Sequence, residues 1–342
     1  MLHNIAYVTP VLGAIRLGHM EERNGKRLPQ KDDFFSITGL HKEVGQWVPD
    51  PLQKATLEQQ SETADQKLRA IPVRVLYADP ELNSSERYEA YDIEKKRLVC
   101  AGDGKNAKRI EDNGTISEIP CPGDAYCEFG RHNRCGIFGR ALFQIAGQTD
   151  QMGAYILRTA SYNAVNTLRS KLVGLNALFG DRLPFVPLKL VMRTKSSPLS
   201  MNTPFYYPDL ELDGDIVELA KQAEVQRQKM VDAGLDRSAF ESKMKTLRNN
   251  GPFEDPSEIF EDREEFLGAT EIVIKGEGSE LSTTSQDGST SNGAKTVRTT
   301  PFPRKTKLQQ ALALHDISAI YAVPGQPGAA EISSLSHGTH PN

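Results

Sequence analysis

Long apolar segments are absent from this chain of 342 residues. No run approaches the roughly 20 apolar residues that a transmembrane helix needs, so we expect no helical membrane span. The first ten residues lack a basic stretch followed by an apolar one, which gives no sign of a secretory signal. We therefore expect a cytoplasmic protein, in which thiols stay reduced and clustered cysteines more often bind metal than form disulfides.

Common catalytic motifs are absent as well. The sequence contains no His-Glu-x-x-His, no Gly-x-x-x-x-Gly-Lys-Ser/Thr and no nucleophile elbow, so an enzyme is the less favoured interpretation. Two acidic groups, Asp32–Asp33 and the trio Asp209, Asp213 and Asp215, leave a metal-dependent hydrolase or nuclease as an alternative. The net charge of −4 does not indicate a nucleic-acid-binding protein, so any DNA contact requires a local basic patch.

The first 212 residues predict a mixed α+β core domain. Alternating or apolar runs predict strands at 71–77, 135–146, 153–159 and 187–192, and a hairpin from 86–91 and 97–100. Apolar residues at helical spacing from Val165 to Phe179 predict a helix that packs on the sheet, with Ser161 or Asn163 at its start and Gly180 at its end. The predicted elements follow the order of several strands, one helix and a further strand. This order indicates a largely antiparallel sheet.

The remainder of the chain predicts less core structure. Residues 213–275 form a predicted helical extension, with two helices at 215–233 and 236–249 that end before Asn250-Gly251-Pro252. The Gly-, Ser- and Thr-rich stretch 276–307 is a predicted disordered linker, because it cannot bury enough apolar surface to offset its ordering entropy. Residues 308–342 predict a short helix and a flexible tail.

Three of the four cysteines lie within fifteen positions, at Cys121, Cys127 and Cys135, and His132 lies between the last two. Three cysteines and one histidine are a common ligand set of structural zinc, so we predict a closed zinc site with these four ligands. Cys100 is an alternative fourth ligand if residues 97–121 fold back. A closed site predicts a structural role, because a catalytic zinc normally keeps a position for water.

The spacing of the cysteines contains no Cys-x-x-Cys pair, which leaves two other interpretations open. The cysteines could be small buried apolar residues of the core, or one of them could be a reactive thiol.

A basic group between 159 and 196 is the candidate contact surface for DNA or a protein partner. Cationic side chains can neutralise phosphates and an aromatic ring can stack on bases, which also leaves a single-stranded DNA-binding module as an alternative. An ordinary charged helix face and strand edge would show the same composition. The members of this group are Tyr162, Arg169, Lys171, Arg182, Lys189, Arg193 and Lys195.

The chain resembles the recombination directionality factor-like family over roughly its first 200 residues. The likeness lies in the order of four features: Ala14-Ile15-Arg16-Leu17-Gly18, then Ile71 to Glu81, then the cysteine cluster, and finally Asn166 to Ser170 with Pro187-Leu188-Lys189-Leu190. Relatives in phages switch large serine integrases from integration to excision. Similar proteins on plasmids and conjugative elements are often described as "hydrolase or metal-binding protein".

The resemblance implies an accessory protein of DNA recombination on a mobile element. Such a factor would bind a recombinase or its DNA complex and change which conformation is populated, which requires differential affinity and no catalytic residue. The extension after Gly214 departs from the shorter phage proteins, so the homologue could serve plasmid replication or recombination without a serine integrase.

Overall fold

The computed structural model describes residues 7–23, 26–60, 65–92, 97–196 and 202–248. Its strands are β1 (Val11–Arg23), β2 (Lys26–Glu43), β3 (Gln46–Pro49), β4 (Ala70–Arg74), β5 (Ser84–Asp92), β6 (Arg97–Gly102), β7 (Asn106–Ile110), β8 (Ile116–Pro120), β9 (Gly136–Ile145), β10 (Ala154–Thr159), β11 (Leu188–Lys195) and β12 (Phe205–Leu212). Its helices are α1 (Pro51–Gln59), α2 (Pro80–Asn83), α3 (Glu128–His132), α4 (Tyr162–Phe179), α5 (Ile216–Asp232) and α6 (Arg237–Arg248), and a 3₁₀ helix spans Gly180–Phe185.

The strands form one large mixed sheet. Neighbouring strands follow the order β3-β2-β1-β10-β9-β5-β6-β7-β8, and β4 links β9 to β11, which pairs with β12. The β1–β10 pair is parallel and the other strand pairs are antiparallel. The predicted α+β fold with a largely antiparallel sheet is therefore confirmed.

Helix α4 covers the centre of one sheet face. The predicted stripe is confirmed, because Val165, Leu168 and Leu172 are all buried against the sheet. Gly139 of β9 allows this close approach, since a Cβ atom there would lie 2.5 Å from Cγ2 of Val165. Gly180 ends the helix with a φ of +58°, a conformation that glycine adopts without strain.

The main core fills the space between α4 and the sheet. Its fully buried side chains come from both layers and bury most of the apolar surface of the central strands. They include Ile15, Phe35, Ile37, Ile71, Phe143, Leu157, Leu168, Leu172, Leu188 and Leu190.

The strand predicted at 71–77 is shorter than expected and ends at Arg74. At Tyr77, the side chain of Asn83 makes the backbone hydrogen bonds that a neighbouring strand would otherwise make. Its Oδ1 accepts from the Tyr77 N–H at 3.1 Å, and its Nδ2 donates to the Tyr77 carbonyl at 2.7 Å. The chain turns there into α2, whose N-terminus is capped by Asp79.

Helices α5 and α6 confirm the two predicted helices of the extension. Leu219 and Ala223 of α5 pack into the main core, and Phe240 of α6 stacks on Tyr77 with a centroid distance of 5.9 Å. The predicted linker at 276–307 and the predicted helix and tail at 308–342 lie outside the described residues. Among the helices described, none is both long and apolar enough to cross a membrane.

Candidate functional site

The four cysteines of the chain meet around one small cavity. Cys100 lies on β6, Cys121 directly follows β8, Cys127 is the N-cap residue of α3, and Cys135 directly precedes β9. All four line a cavity of about 10 Å³, which has room for about one water-sized particle. Tyr88, Arg109, Phe129 and Gly130 are also part of its lining.

The local backbone explains how cysteines so far apart in sequence come together. The antiparallel strands β7 and β8 return the chain to the turn between β6 and β7, where the Cys121 N–H donates to the Lys105 carbonyl at 2.8 Å. A Cβ atom at Gly102 would lie 2.6 Å from Sγ of Cys121. Glycine at this position therefore leaves the space that the Cys121 thiol occupies.

A tight turn around α3 brings the other two cysteines into place. The Cys135 N–H donates to the Gly130 carbonyl at 2.7 Å, and the Gly130 N–H donates to Sγ of Cys127 at 3.2 Å. A Cβ atom at Gly130 would lie 2.7 Å from Cβ of Cys135. A backbone N–H that donates to a cysteine sulfur also stabilises the thiolate that a metal requires.

Burial and one arginine control the electrostatics of the cavity. Burial, reinforced by the neighbouring thiols of Cys100 and Cys127, raises the pKa of Cys135 to about 12. Burial also raises the pKa of Cys100, although Arg109 opposes that shift. The Arg109 guanidinium stacks on the Phe129 ring at 3.9 Å, and its Nη2 lies 4.0 Å from Sγ of Cys127.

The four cysteines that share the cavity do not form a metal-ligand sphere. Within the described ranges, no three His, Cys, Asp or Glu side chains are arranged to hold one metal ion. Four thiols line the cavity, and thiolates are among the ligand types that structural zinc sites use. His132, the last residue of α3, is not part of the cavity lining, whereas Cys100 is.

The basic group predicted between 159 and 196 is largely neutralised by acidic partners. Lys189 pairs with Asp213 at 2.6 Å, Lys171 with Asp209 at 3.6 Å, and Arg193 with both Asp209 and Glu211. These acids alternate along and just after β12, which runs antiparallel to the basic positions of β11. Basic residues alternate in β11 and acidic residues alternate in and just after β12. This pattern is the sequence signal from which the pairing could have been predicted.

The remaining members of the basic group differ in their surroundings. Arg182 donates from Nε to the Phe179 carbonyl at 3.1 Å. Arg169 and Lys195 are exposed, and neither has an ion-pair partner among the described residues. Tyr162 is 67% exposed at the start of α4. These three exposed side chains are the members that remain available for a partner.

The acidic residues that suggested a hydrolase are occupied in other ways. Asp32 contacts His19 at 3.0 Å, and Asp33 binds both Lys67 and Arg69. Asp215 caps α5 by accepting from two backbone N–H groups. Each carboxylate thus has a structural partner in the described part of the chain.

Comparison with known families places this chain among proteins related to recombination accessory factors. A profile of the Gp3-like family, described as recombination directionality factor-like, matches residues 12–213. The match covers more than half of the chain, and the chain belongs to this family. It ends before α5, so both helices of the extension lie beyond it. No curated protein and no solved structure matches the chain.

Proposed function

We propose that this protein is a zinc-binding, non-catalytic accessory factor of DNA recombination on a mobile element, and that it acts through contacts with a recombinase or a recombinase–DNA complex. Family membership supports the recombination role. The convergence of four cysteines from separate elements on one ion-sized cavity is the observation that carries the zinc-binding part.

Cys100, Cys121, Cys127 and Cys135 would hold the ion, since these thiols line the cavity together. A bound zinc supplies a cross-link of thiolates that stabilises the local fold and displaces the thiol protons. Residues 121–135 contain α3 and otherwise little regular structure, so such a cross-link would fix them against β6. The predicted set with His132 in place of Cys100 is the alternative.

The contact surface that we propose lies at the start of α4, close to the cysteine cavity. Val165 of α4 packs on Gly139 of β9, and β9 begins directly after Cys135, so the start of α4 and the cavity adjoin the same strand.

Tyr126, which lies between Cys121 and Cys127, is 61% exposed, and Tyr162 is 67% exposed. Arg169 lies seven residues after Tyr162 on α4, so this exposed cation and this exposed tyrosine share one helix face. Such a pair is suited to a protein interface or to stacking on bases.

Metal content tests the zinc site. We expect about one zinc per chain in protein purified without chelator, and slow thiol reaction until a chelator is added. Cys100→Ser should lose most of the zinc, and His132→Gln, the matched control, should retain it. Full retention in Cys100→Ser with loss in His132→Gln would select the other ligand set. Metal-free protein with four freely reacting thiols would contradict the zinc site itself.

Binding to the recombinase of the same mobile element tests the contact surface. Arg169→Ala and Tyr162→Ala should each weaken binding by about tenfold, as expected for an exposed anchor at an interface. Lys54→Ala is the control, because Lys54 is an 84% exposed cation on α1. Equal affinity of all variants would contradict this surface without bearing on the zinc site.

A further inference from the structure

The four cysteines around the cavity differ in how freely they can move. All four are free thiols. Cys100 is buried within β6, which pairs with β5 on one side and with β7 on the other. Cys121, Cys127 and Cys135 are half-buried and lie outside the strands. These three can therefore shift without breaking a strand pair.

Cys127 and Cys135 lie on either side of Gly130. A Cβ atom at Gly130 would lie 3.2 Å from Cβ of Cys127 and 2.7 Å from Cβ of Cys135. Because both distances start from one point, the Cβ atoms of the two cysteines are at most about 6 Å apart. A disulfide requires a separation of about 3.5–4.5 Å between its Cβ atoms, so a shift of no more than about 1.5 Å is needed.

The surroundings of this pair leave room for that shift. Gly130 has no side chain, and the cavity of about 10 Å³ lies between the thiols, so the two sulfur atoms have space to approach each other. Both cysteines are also hydrogen-bonded to Gly130, which donates its N–H to Sγ of Cys127 at 3.2 Å and accepts from the Cys135 N–H at 2.7 Å. These two bonds keep the pair together.

We propose that Cys127 and Cys135 form a reversible modification site, at which a low-molecular-weight disulfide such as glutathione disulfide oxidises the two thiols to an internal disulfide. The Cys127 sulfur attacks one sulfur of the reagent and releases the first reagent thiol. The Cys135 sulfur then attacks the mixed disulfide at Cys127 and releases the second. The two protein thiols lose two electrons, and their protons pass to the two released thiols.

This inference goes beyond the proposed zinc site, although it uses two of the same thiols. Zinc binds cysteine as the thiolate, and a disulfide has no thiolate to offer. Bound zinc and the disulfide therefore exclude each other. Oxidation releases the ion, and a bound ion protects the pair from oxidation.

Peptide mapping of the full chain tests the site. The protein is treated with chelator and glutathione disulfide, the remaining thiols are blocked with iodoacetamide, and a tryptic digest is analysed by mass spectrometry. Trypsin separates Cys127 from Cys135, because Arg131 and Arg134 lie between them. An iodoacetamide label on Cys121, which shares a tryptic peptide with Cys127, identifies Cys127 as the linked residue.

Four variants that each keep three thiols accompany the wild type. We expect the Cys127–Cys135 link to exceed every other cysteine pair by about tenfold, and dithiothreitol to reverse it. Cys121→Ser and Cys100→Ser, the matched controls, should keep the link, and Cys127→Ser and Cys135→Ser should lose it. A predominant link to Cys100 or Cys121, or glutathione adducts that persist without an internal link, would overturn the inference.

The chelator separates this test from that of the zinc site. A disulfide between Cys127 and Cys135 in protein that never binds zinc would support the modification site and contradict the zinc site. Bound zinc in untreated protein, with no internal disulfide after chelation and oxidation, would overturn the modification site alone.

Discussion

Glu89 and Arg140 form a buried two-point ion pair between β5 and β9. Nη1 of Arg140 lies 2.7 Å from Oε1 of Glu89, and Nη2 lies 3.0 Å from Oε2. The Glu89 side chain is 0% exposed, and it also accepts from the Tyr91 hydroxyl at 2.6 Å. A buried carboxylate with this many donors is costly to disturb, because each donor loses its acceptor when the charge is removed.

Glu89→Gln should therefore destabilise the fold strongly. Removal of one partner of a buried ion pair typically costs about 3–5 kcal/mol, and glutamine, which still accepts hydrogen bonds, should fall near the lower value. The free energy of unfolding in urea measures the effect. Glu58→Gln is the control, because Glu58 forms an exposed pair with Lys54 and should change stability by less than about 1 kcal/mol. Equal effects of the two substitutions would contradict the role of the buried pair.

The same pair makes stability depend on pH in the acid range. Burial by itself raises the pKa of Glu89, but Arg140 and Arg87 outweigh it, and the net pKa is lowered. A lowered folded-state pKa contributes stability above the unfolded value of about 4.3, and this stability is lost as the pH falls through the folded value. The stability difference between wild type and Glu89→Gln should be constant from neutral pH to about pH 5 and shrink below about pH 4. Urea titrations across this range measure it, and a difference that grows on acidification would contradict the shift.

The central fold could be predicted from sequence because its elements carry strong local patterns. The apolar spacing from Val165 to Phe179 matched one helix face, and the hairpin of β5 and β6 followed from two short strands around a polar turn. Strands β1, β2, β3, β7, β8 and β12 were missed. Charged residues interrupt the apolar alternation in most of them. Asp209 in β12, for example, is buried because Lys171 and Arg193 pair with it.

The candidate site could be predicted only in part. The cluster of Cys121, Cys127 and Cys135 is visible from its spacing. Cys100 was only the alternative fourth ligand, because its approach depends on the pairing of β6 with β7, a strand that was not predicted. The approach of Arg16 to Arg158 was missed for a related reason. An apolar residue precedes each of these arginines, and only the parallel register of β1 and β10 brings the two together.

Gly102→Ala should disturb the cysteine cavity. A Cβ atom at this position would lie 2.6 Å from Sγ of Cys121 and 2.8 Å from Cβ of Ala107, so the thiol must move away. Overpacking of this kind costs about 1–3 kcal/mol and should also lower the zinc content measured by elemental analysis. Gly136→Ala is the control, because a Cβ atom there meets nothing within 4 Å. Unchanged zinc content and stability in Gly102→Ala would show that Cys121 is not confined by β6.

Glu241→Ala should release α6 from the core. The Glu241 carboxylate accepts from the backbone N–H groups of Ala78 at 2.9 Å and Asp79 at 3.1 Å, just before α2 begins. Loss of an acceptor leaves both donors unsatisfied, which costs about 1–3 kcal/mol. No residue of α6 is buried, so contacts at its surface attach the helix. Besides Glu241, these include the stacking of Phe240 on Tyr77 and the ion pairs of Lys245 with Asp79 and Glu81.

Hydrogen exchange of residues 237–248 measures this release, because a detached helix exchanges at the rate of its local opening. We expect faster exchange throughout α6 in Glu241→Ala while the amides of β9 keep their protection. Glu218→Ala is the control, because Glu218 is 61% exposed on α5 and pairs with Lys221 at the surface. Since α6 lies beyond the residues that match the family, faster exchange confined to α6 would show that the family domain folds independently of its attachment. Faster exchange in β9 as well would show instead that α6 and the domain unfold as one cooperative unit.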